Sequence, residues 1–281
     1  MLLRDTAVAL TAAGIDNVRF EARLLLAKAT RLSVEELIAR GSEPAPAEMI
    51  ATLRSLTARR VQREPMAYLL GEREFWGLPF KVTPAVLVPR PDSETLIEAA
   101  LSLLADRQRA WRLLDLGLGS GCLLLTLLRE LPQATGVGLE VSAAALEIAQ
   151  ANAEALGVAS RASLLQGDWR QPGWGEGLSG PFDLIVSNPP YIETQALPQL
   201  MPEVSRYEPR QALDGGPDGL DAYRAIGAAA LKLLAPGGHL LVEVGRGQAS
   251  DVAAIFGSQS LSPGIPWKDL GGIERVVGAR H

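Results

Sequence analysis

The sequence predicts an α/β chain, with a mostly parallel, doubly wound sheet preceded by a small helical domain. Three observations predict it. From Ser93 to about Val244, short apolar runs alternate with stretches of helical spacing, the pattern that lays down a parallel sheet. Residues 1–73 carry helical spacing alone. Between them, from Glu74 to Pro91, aromatics, a glycine and prolines change the period towards two.

Taken in order, Phe20-Glu21-Ala22-Arg23-Leu24-Leu25-Leu26 and Val34-Glu35-Glu36-Leu37-Ile38 read as amphipathic helices, with Gly41–Pro46 as a break between two such segments. Phe75-Trp76-Gly77-Leu78-Pro79-Phe80-Lys81-Val82 reads as a hairpin joining two domains. The expected division is therefore a helical bundle over 1–73, a hairpin linker over 74–91 and a sheet domain over 92–281. After Ser93 a helix leads to the strand Leu113-Leu114-Asp115-Leu116, a helix from Cys122 to Leu131 and the strand Thr135-Gly136-Val137-Gly138-Leu139. Leu164-Leu165-Gln166 and Phe182-Asp183-Leu184-Ile185-Val186-Ser187 are further strands. Ala235-Pro236-Gly237-Gly238 stops a helix ahead of the strand His239–Val244. Trp267–Leu270 and Glu274–Ala279 around Gly271-Gly272 suggest a closing hairpin.

Two loops carry the chemistry. Asn188-Pro189-Pro190-Tyr191 follows the strand ending at Ser187, and Gly117-Leu118-Gly119-Ser120-Gly121 follows the strand ending at Leu116. An amide or aromatic amine nitrogen is a poor nucleophile, because its lone pair is delocalised into the adjoining π system. Two fixed acceptors for its N–H groups would aim it and favour the charge it gains during reaction. The Asn188 side-chain oxygen and the Pro189 carbonyl can be those acceptors, and prolines at 189 and 190 remove two backbone donors from the loop. Tyr191 offers a flat face for a planar group. A strand ending in a proline turn is the plainer account of the tetrapeptide alone. The glycine loop upstream tips the balance.

That loop sits at a strand-to-helix turn. A dinucleotide fingerprint would place a third glycine at residue 122, which is Cys122, and a phosphate loop would end in Gly-Lys-Ser/Thr, which is absent. A nucleoside ligand without phosphates fits better, and S-adenosylmethionine (SAM) is one. Glu140 follows Gly121 by 19 residues at a strand end, where an acidic side chain takes ribose hydroxyls. Asp168 and Trp169, after the next strand, would flank the adenine. The two loops together indicate a SAM-dependent N-methyltransferase.

Composition narrows the alternatives. The 281 residues, 47% hydrophobic, can bury a sizeable core, and no apolar run is long enough to span a membrane. No signal-peptide pattern precedes the first helix, and one cysteine, Cys122, excludes an internal disulfide, so a reducing cytoplasm is expected. Two histidines, His239 and His281, argue against a histidine triad or metal cluster; no metal is expected. A net charge of −5 opposes broad attachment to nucleic acid. The basic group Arg54, Arg59, Arg60, Arg63 and Arg73 reads mainly as a solvated helix face.

Over almost its whole length the chain resembles the HemK-type release factor glutamine methyltransferases. Leu87-Val88-Pro89-Arg90-Pro91-Asp92-Ser93-Glu94, Asp115–Gly121, Gly167-Asp168-Trp169, Asn188–Ile192, Asp214-Gly215-Gly216-Pro217-Asp218-Gly219-Leu220 and Asp269-Leu270…Arg275-Val276-Val277 carry the likeness. The Pro89-Arg90-Pro91 segment ahead of the glycine loop is its most particular element. Leu118 stands where threonine is common, Glu140 where aspartate is usual, and Asp92-Ser93-Glu94 where Glu-Thr-Glu is frequent. The resemblance implies a helical N-terminal domain and a Rossmann-like, mostly parallel seven-stranded sheet. It implies SAM bound by Gly117, Leu118, Gly119, Ser120, Gly121, Glu140, Trp169 and Asn188, to which the reading above adds Asp168, with S-adenosylhomocysteine as product. It also implies a protein substrate, the Gly-Gly-Gln glutamine of class 1 release factors, held by Asn188, Pro189, Pro190 and Tyr191. A monomer is expected. Because Asn-Pro-Pro-Tyr is shared with nucleic-acid amino-methyltransferases, an adenine or guanine amine stays open as the alternative acceptor.

Overall fold

The computed structural model describes residues 2–39 and 45–281, and four of the residues at the expected Gly41–Pro46 break lie outside that range. The chain forms two compact units. One comprises residues 1–72 together with Met201–Tyr207, and the other Arg73–Leu200 with Glu208–His281. Among the described residues, no helix is long and apolar enough to cross a membrane.

The first unit is helical: α1 (Leu2–Ala12), α2 (Val18–Thr30), α3 (Val34–Ala39), α4 (Ala47–Val61) and the single turn α5 (Met66–Leu70). Leu10, Leu25, Leu53, Leu56 and Leu69 converge in its core, each one a buried position of the helical period. Here the expected solvated arginine face needs correction. Arg60 is only 6% exposed. Its guanidinium donates to both Glu21 oxygens, at 2.7 and 3.1 Å, and to Glu203 at 3.0 Å. Arg63 also donates to Glu203, at 3.0 Å. Charge spacing along α4 could not reveal this, because Glu203 lies more than a hundred residues away in the chain.

The second unit opens with a two-residue-turn hairpin, β1 (Glu72–Phe75) and β2 (Leu78–Lys81). Trp76 and Gly77 both have positive φ, 55° and 70°, as the tightest hairpin turn requires. A 3-10 turn, Pro91–Ser93, leads into α6 (Glu94–Leu103). Then β3 (Arg112–Leu116), α7 (Cys122–Glu130), β4 (Thr135–Glu140), α8 (Ala143–Ala155), β5 (Ala162–Gln166) and β6 (Phe182–Ser187) alternate as the sequence predicts. The short helix α9 (Pro202–Tyr207) belongs to the helical unit, and α10 (Asp221–Leu233), β7 (Leu234–Glu243) and α11 (Ala249–Ser258) complete the alternation. The chain closes with β8 (Ser262–Pro263), β9 (Trp267–Lys268) and β10 (Glu274–Arg280).

The sheet runs β5-β4-β3-β6-β7-β10-β8, seven strands, with the two-residue β9 pairing β10 as an eighth. Strands β3 to β7 are parallel, and β10 is antiparallel to β7. This is the Rossmann-like α/β fold that the sequence predicts. The order reverses between β3 and β6, and the cleft of such a sheet opens at that point, beyond the carboxyl ends of the strands. Both motif loops leave from there. Helices α6, α7 and α8 cover one face and α10 and α11 the other, giving two apolar layers.

One detail differs from the sequence reading. Helix α10 does stop before Pro236, but the strand begins at Leu234 and takes the Pro-Gly-Gly turn into itself. Phe182 pairs with Leu234 and Leu184 with His239, so four residues of β7, Ala235 to Gly238, oppose one of β6, Asp183. Pro236 has no N–H for the ladder and Gly237 has φ of 76°, which makes this the position where a bulge costs least.

Candidate active site

A cavity of about 820 Å³ opens over the carboxyl ends of β3, β4, β5 and β6. The sequence-predicted Gly117, Leu118, Gly119, Ser120, Glu140, Asp168, Trp169, Asn188 and Pro190 all line it. Gly121, Pro189 and Tyr191 do not appear on its wall.

The glycine loop is shaped by what packs behind it. Gly117 and Gly119 hold φ of 79° and 54°, a region that side-chain-bearing residues rarely adopt. The N–H groups of Gly117 and Leu118 both donate to the Leu139 carbonyl, at 2.9 and 3.1 Å. Leu118 is buried and fills the space over Gly138, where a Cβ would stand 2.7 Å from its Cδ1. Gly121 caps α7 with φ of 82°, and a side chain there would strike Leu125. Buried Asn152 staples the loop to the hairpin: its Nδ2 donates to Ser120 O at 2.8 Å, and its Oδ1 accepts from Lys81 N at 2.8 Å.

Glu140 is buried at the end of β4. One carboxylate oxygen accepts from Gly119 N and the other from Ser142 N, each at 2.9 Å. Each oxygen keeps a lone pair for a hydroxyl in the cavity. Asp168 is held by a two-pronged ion pair with Arg170, both contacts at 2.8 Å, and this bond lowers its carboxyl below the ordinary range. It is ionised at neutral pH. Trp169 lies against Gly117, its ring claiming the space of a missing side chain. Cys122 lines the cavity too, but burial pushes its thiol up to about 12, which leaves no thiolate for nucleophilic chemistry. Asp115, buried beneath the loop, receives Leu124 N on Oδ2 at 3.2 Å; burial raises it to about 7.

At the far side, Asn188 donates through Nδ2 to Ser93 Oγ at 3.2 Å. That bond leaves Oδ1 as the free acceptor of the side chain. Among the described residues, no N–H is seated on the Pro189 carbonyl. The following residues are zipped to the glycine-rich segment 215–219. Ile192 N donates to Leu213 O, Gly215 N to Ile192 O and Thr194 N to Gly216 O, at 2.8–3.0 Å. A Cβ on Gly215 would stand 2.8 Å from Pro190 O, so this close approach requires glycine. The Tyr191 ring packs into the second apolar layer and its hydroxyl reaches Glu243 Oε1 at 3.4 Å. Burial, with Glu243 adding to it, raises the Tyr191 phenol well above its ordinary value.

The roles of Ser187 and Glu243 escaped the sequence reading, and that of Arg90, noted there only within the Pro89-Arg90-Pro91 segment, becomes specific here. Ser187 Oγ donates to Leu116 O at 2.6 Å, tying the two strand ends together. Arg90 lines the cavity and grips buried Glu208 with both oxygens on one nitrogen, at 2.6 and 2.7 Å. Burial outweighs that pairing and leaves Glu208 above its ordinary value. Glu243 ends β7 at 1% exposure. An acidic residue closing a buried strand was the available signal.

A Rossmann-like sheet with a glycine loop, an acidic residue after the next strand and an Asn-Pro-Pro-Tyr loop at the switch point defines a methyltransferase. Residues 93–205 match the family described as methyltransferase small domain, and residues 1–71 the PrmC N-terminal domain. The release factor glutamine methyltransferase of Bradyrhizobium diazoefficiens is 44% identical, over 99% of this chain and 93% of that one. That of Geobacter sulfurreducens is 46% identical, over 95% and 91%. The chain belongs to the release factor glutamine methyltransferase family. Its fold is also that of a methyltransferase from Pyrococcus furiosus, with a TM-score of 0.52 at 17% identity, over 80% of this chain and 98% of that one.

Proposed function

We propose that this protein methylates the side-chain N5 of the Gly-Gly-Gln glutamine in class 1 peptide chain release factors, with SAM as donor. The observation that carries the reading is Asn188 Oδ1 on the cavity wall, unclaimed among the described residues, with the Pro189 carbonyl next to it in the chain also free of any N–H among them, in a chain of this family. The cavity suits SAM by its chemistry. It is lined by acidic groups and by glycines whose absent side chains leave room for a nucleoside, and it has no phosphate-loop lysine. When bound, SAM supplies a methyl on a positively charged sulfonium.

The protein's own residues then do four things. Gly117–Gly121 let the backbone approach the cofactor closely. Glu140 takes the ribose hydroxyls, while Asp168 and Trp169 hold the adenine end. Asn188 and Pro189 accept the two N–H groups of the glutamine amide and turn its nitrogen toward the methyl; Pro190 lies beside the substrate, and Tyr191, its ring packed in the apolar layer, holds the loop. These acceptors strengthen as the nitrogen becomes positive, so they act on the rate more than on binding. In this reading the amide proton leaves to solvent after transfer.

We read residues 1–73 as the segment that docks the release factor, 74–91 as the linker and 92–281 as the catalytic part. The protein works as a cytoplasmic monomer without metal or nucleic acid. The test is methyl transfer from labelled SAM to purified release factor, beside a factor whose motif glutamine is replaced, with a DNA duplex and ribosomal RNA in parallel. Label confined to the unaltered factor is expected. Label on nucleic acid with the factor silent would overturn the acceptor assignment while keeping the cofactor.

A further inference from the structure

Behind the Asn188 loop lies a buried polar chain with one acidic end. Asn188 Nδ2 meets Ser93 Oγ at 3.2 Å, and Ser93 Oγ meets Glu243 Oε2 at 2.5 Å. Ser93 is 2% exposed and Glu243 is 1% exposed, so water does not compete for these bonds. A serine hydroxyl has a single proton. With Glu243 ionised, that proton goes to the carboxylate, and Ser93 Oγ can only accept from its other neighbour. Asn188 must then present its NH2 to Ser93 and its Oδ1 to the cavity. With Glu243 protonated, the chain can run backwards. The carboxyl donates to Ser93, Ser93 donates to Asn188 Oδ1, and the NH2 group faces the cavity, where an acceptor is needed.

We infer that Glu243, acting through Ser93, fixes which way the Asn188 side-chain amide points, and that both are positioning residues for methyl transfer. This rests on the reading of Asn188 Oδ1 as an acceptor for the substrate nitrogen. The surroundings are consistent with a directed chain. Asp92 on the same turn, Arg275 on β10 and Tyr191 on the Asn188 loop face the Glu243 carboxyl, and Cys122 at the start of α7 lies within electrostatic reach. Tyr223 on α10 donates to the Glu243 carbonyl at 2.9 Å, which fixes the backbone beneath it. Arg275 is itself anchored to Asp92 and Asp269, at 2.6 and 2.9 Å, and so holds a fixed positive charge near the carboxylate. Burial raises Glu243 to about 7, with the Ser93 bond and Arg275 opposing it, so the direction of the chain can change within a workable pH range.

The test needs one readout that is independent of substrate. In 15N-labelled protein, the Asn188 side-chain amide resonances are expected to titrate with a midpoint near 7, to lose that titration in Glu243→Gln and to move in Ser93→Ala. Resonances indifferent to pH and to both substitutions would overturn the inference. In kinetics, Ser93→Ala should lower kcat roughly tenfold, the worth of one such bond, with S-adenosylhomocysteine binding little changed. Ser93→Thr keeps the hydroxyl and should recover most of the loss. Wild-type kcat should rise through pH 7, and Glu243→Gln should flatten that rise. Wild-type turnover by Ser93→Ala counts against the relay. If the release factor proves not to be the acceptor, the same variants are assayed on whichever acceptor is labelled, and the resonance measurement stands regardless.

Discussion

Ser187 donates its hydroxyl proton to the carbonyl of Leu116 at 2.6 Å, both residues fully buried. Ser187 immediately precedes Asn188, and Leu116 immediately precedes Gly117. The bond therefore carries the β3–β6 pairing out to the strand ends, where the glycine loop and the Asn-Pro-Pro-Tyr loop begin. Ser187→Ala leaves a buried carbonyl lone pair unmet and frees the two strand ends to drift. It should cost about 1 kcal/mol of stability, and kcat should fall by more than either KM rises. Urea unfolding and steady-state kinetics check both.

Asn188→Ala removes one of the two acceptors proposed above for the substrate amide, which would strengthen in the transition state. The expected loss in kcat is on the order of 10²–10³-fold, with SAM affinity by calorimetry changed only slightly. Near-normal turnover would sink the orientation argument.

Gly117→Ala sets a methyl group 2.7 Å from Cη2 of Trp169, at a φ of 79°. Either the Trp169 ring or the loop must move, and both line the cavity. SAM binding should weaken at least tenfold, about 1.4 kcal/mol, as read by calorimetry. Fold stability should fall by roughly 1–2 kcal/mol for the strained backbone.

Asp115 gives a pH dependence of known sign. Burial raises its folded-state carboxyl to about 7 from its ordinary value of 3.8. Between those two values the folded chain binds more protons than the unfolded one, so this residue makes stability fall as pH rises through that window. Above pH 7 the penalty is complete. Asp115→Asn keeps an oxygen for Leu124 N and should raise stability at pH 8 by a few kcal/mol relative to its effect at pH 4. Thermal melts of both proteins across pH 4–8 make the comparison.

Arg60→Ala strands two carboxylates, Glu21 and Glu203, whose side chains are 16% and 13% exposed. Arg63 remains beside Glu203, but Glu21 loses its only charge partner among the described residues. A destabilisation of roughly 2–4 kcal/mol is expected, confined to the helical unit. Hydrogen exchange should show faster exchange in α2 and α4 and unchanged protection in β3 and β6. A solvated arginine would produce no such effect.

The sequence by itself determined the class of fold, the two motif loops and nine residues of the cavity wall. Those features depend on local rules: strand and helix periods, glycine at positive φ, and prolines that strip donors from a loop. Gly117, Glu140 and Asn188 could be assigned because each stands at a strand end, where an open parallel sheet places its ligands. Only the tertiary structure decided which partners those residues meet. The pairing of Ser187 with Leu116 joins residues 71 apart, that of Ser93 with Glu243 residues 150 apart, and that of Arg60 with Glu203 residues 143 apart. Nothing in local spacing encodes such contacts. The first two follow from the strand order 5-4-3-6-7-10-8, which brings the ends of β3, β6 and β7 side by side, the third from the return of residues 201–207 to the helical unit, and all three from burial, which favours partners for polar groups. The same burial turned the Tyr191 ring into the apolar layer, away from the cavity wall where its place in the motif had suggested it.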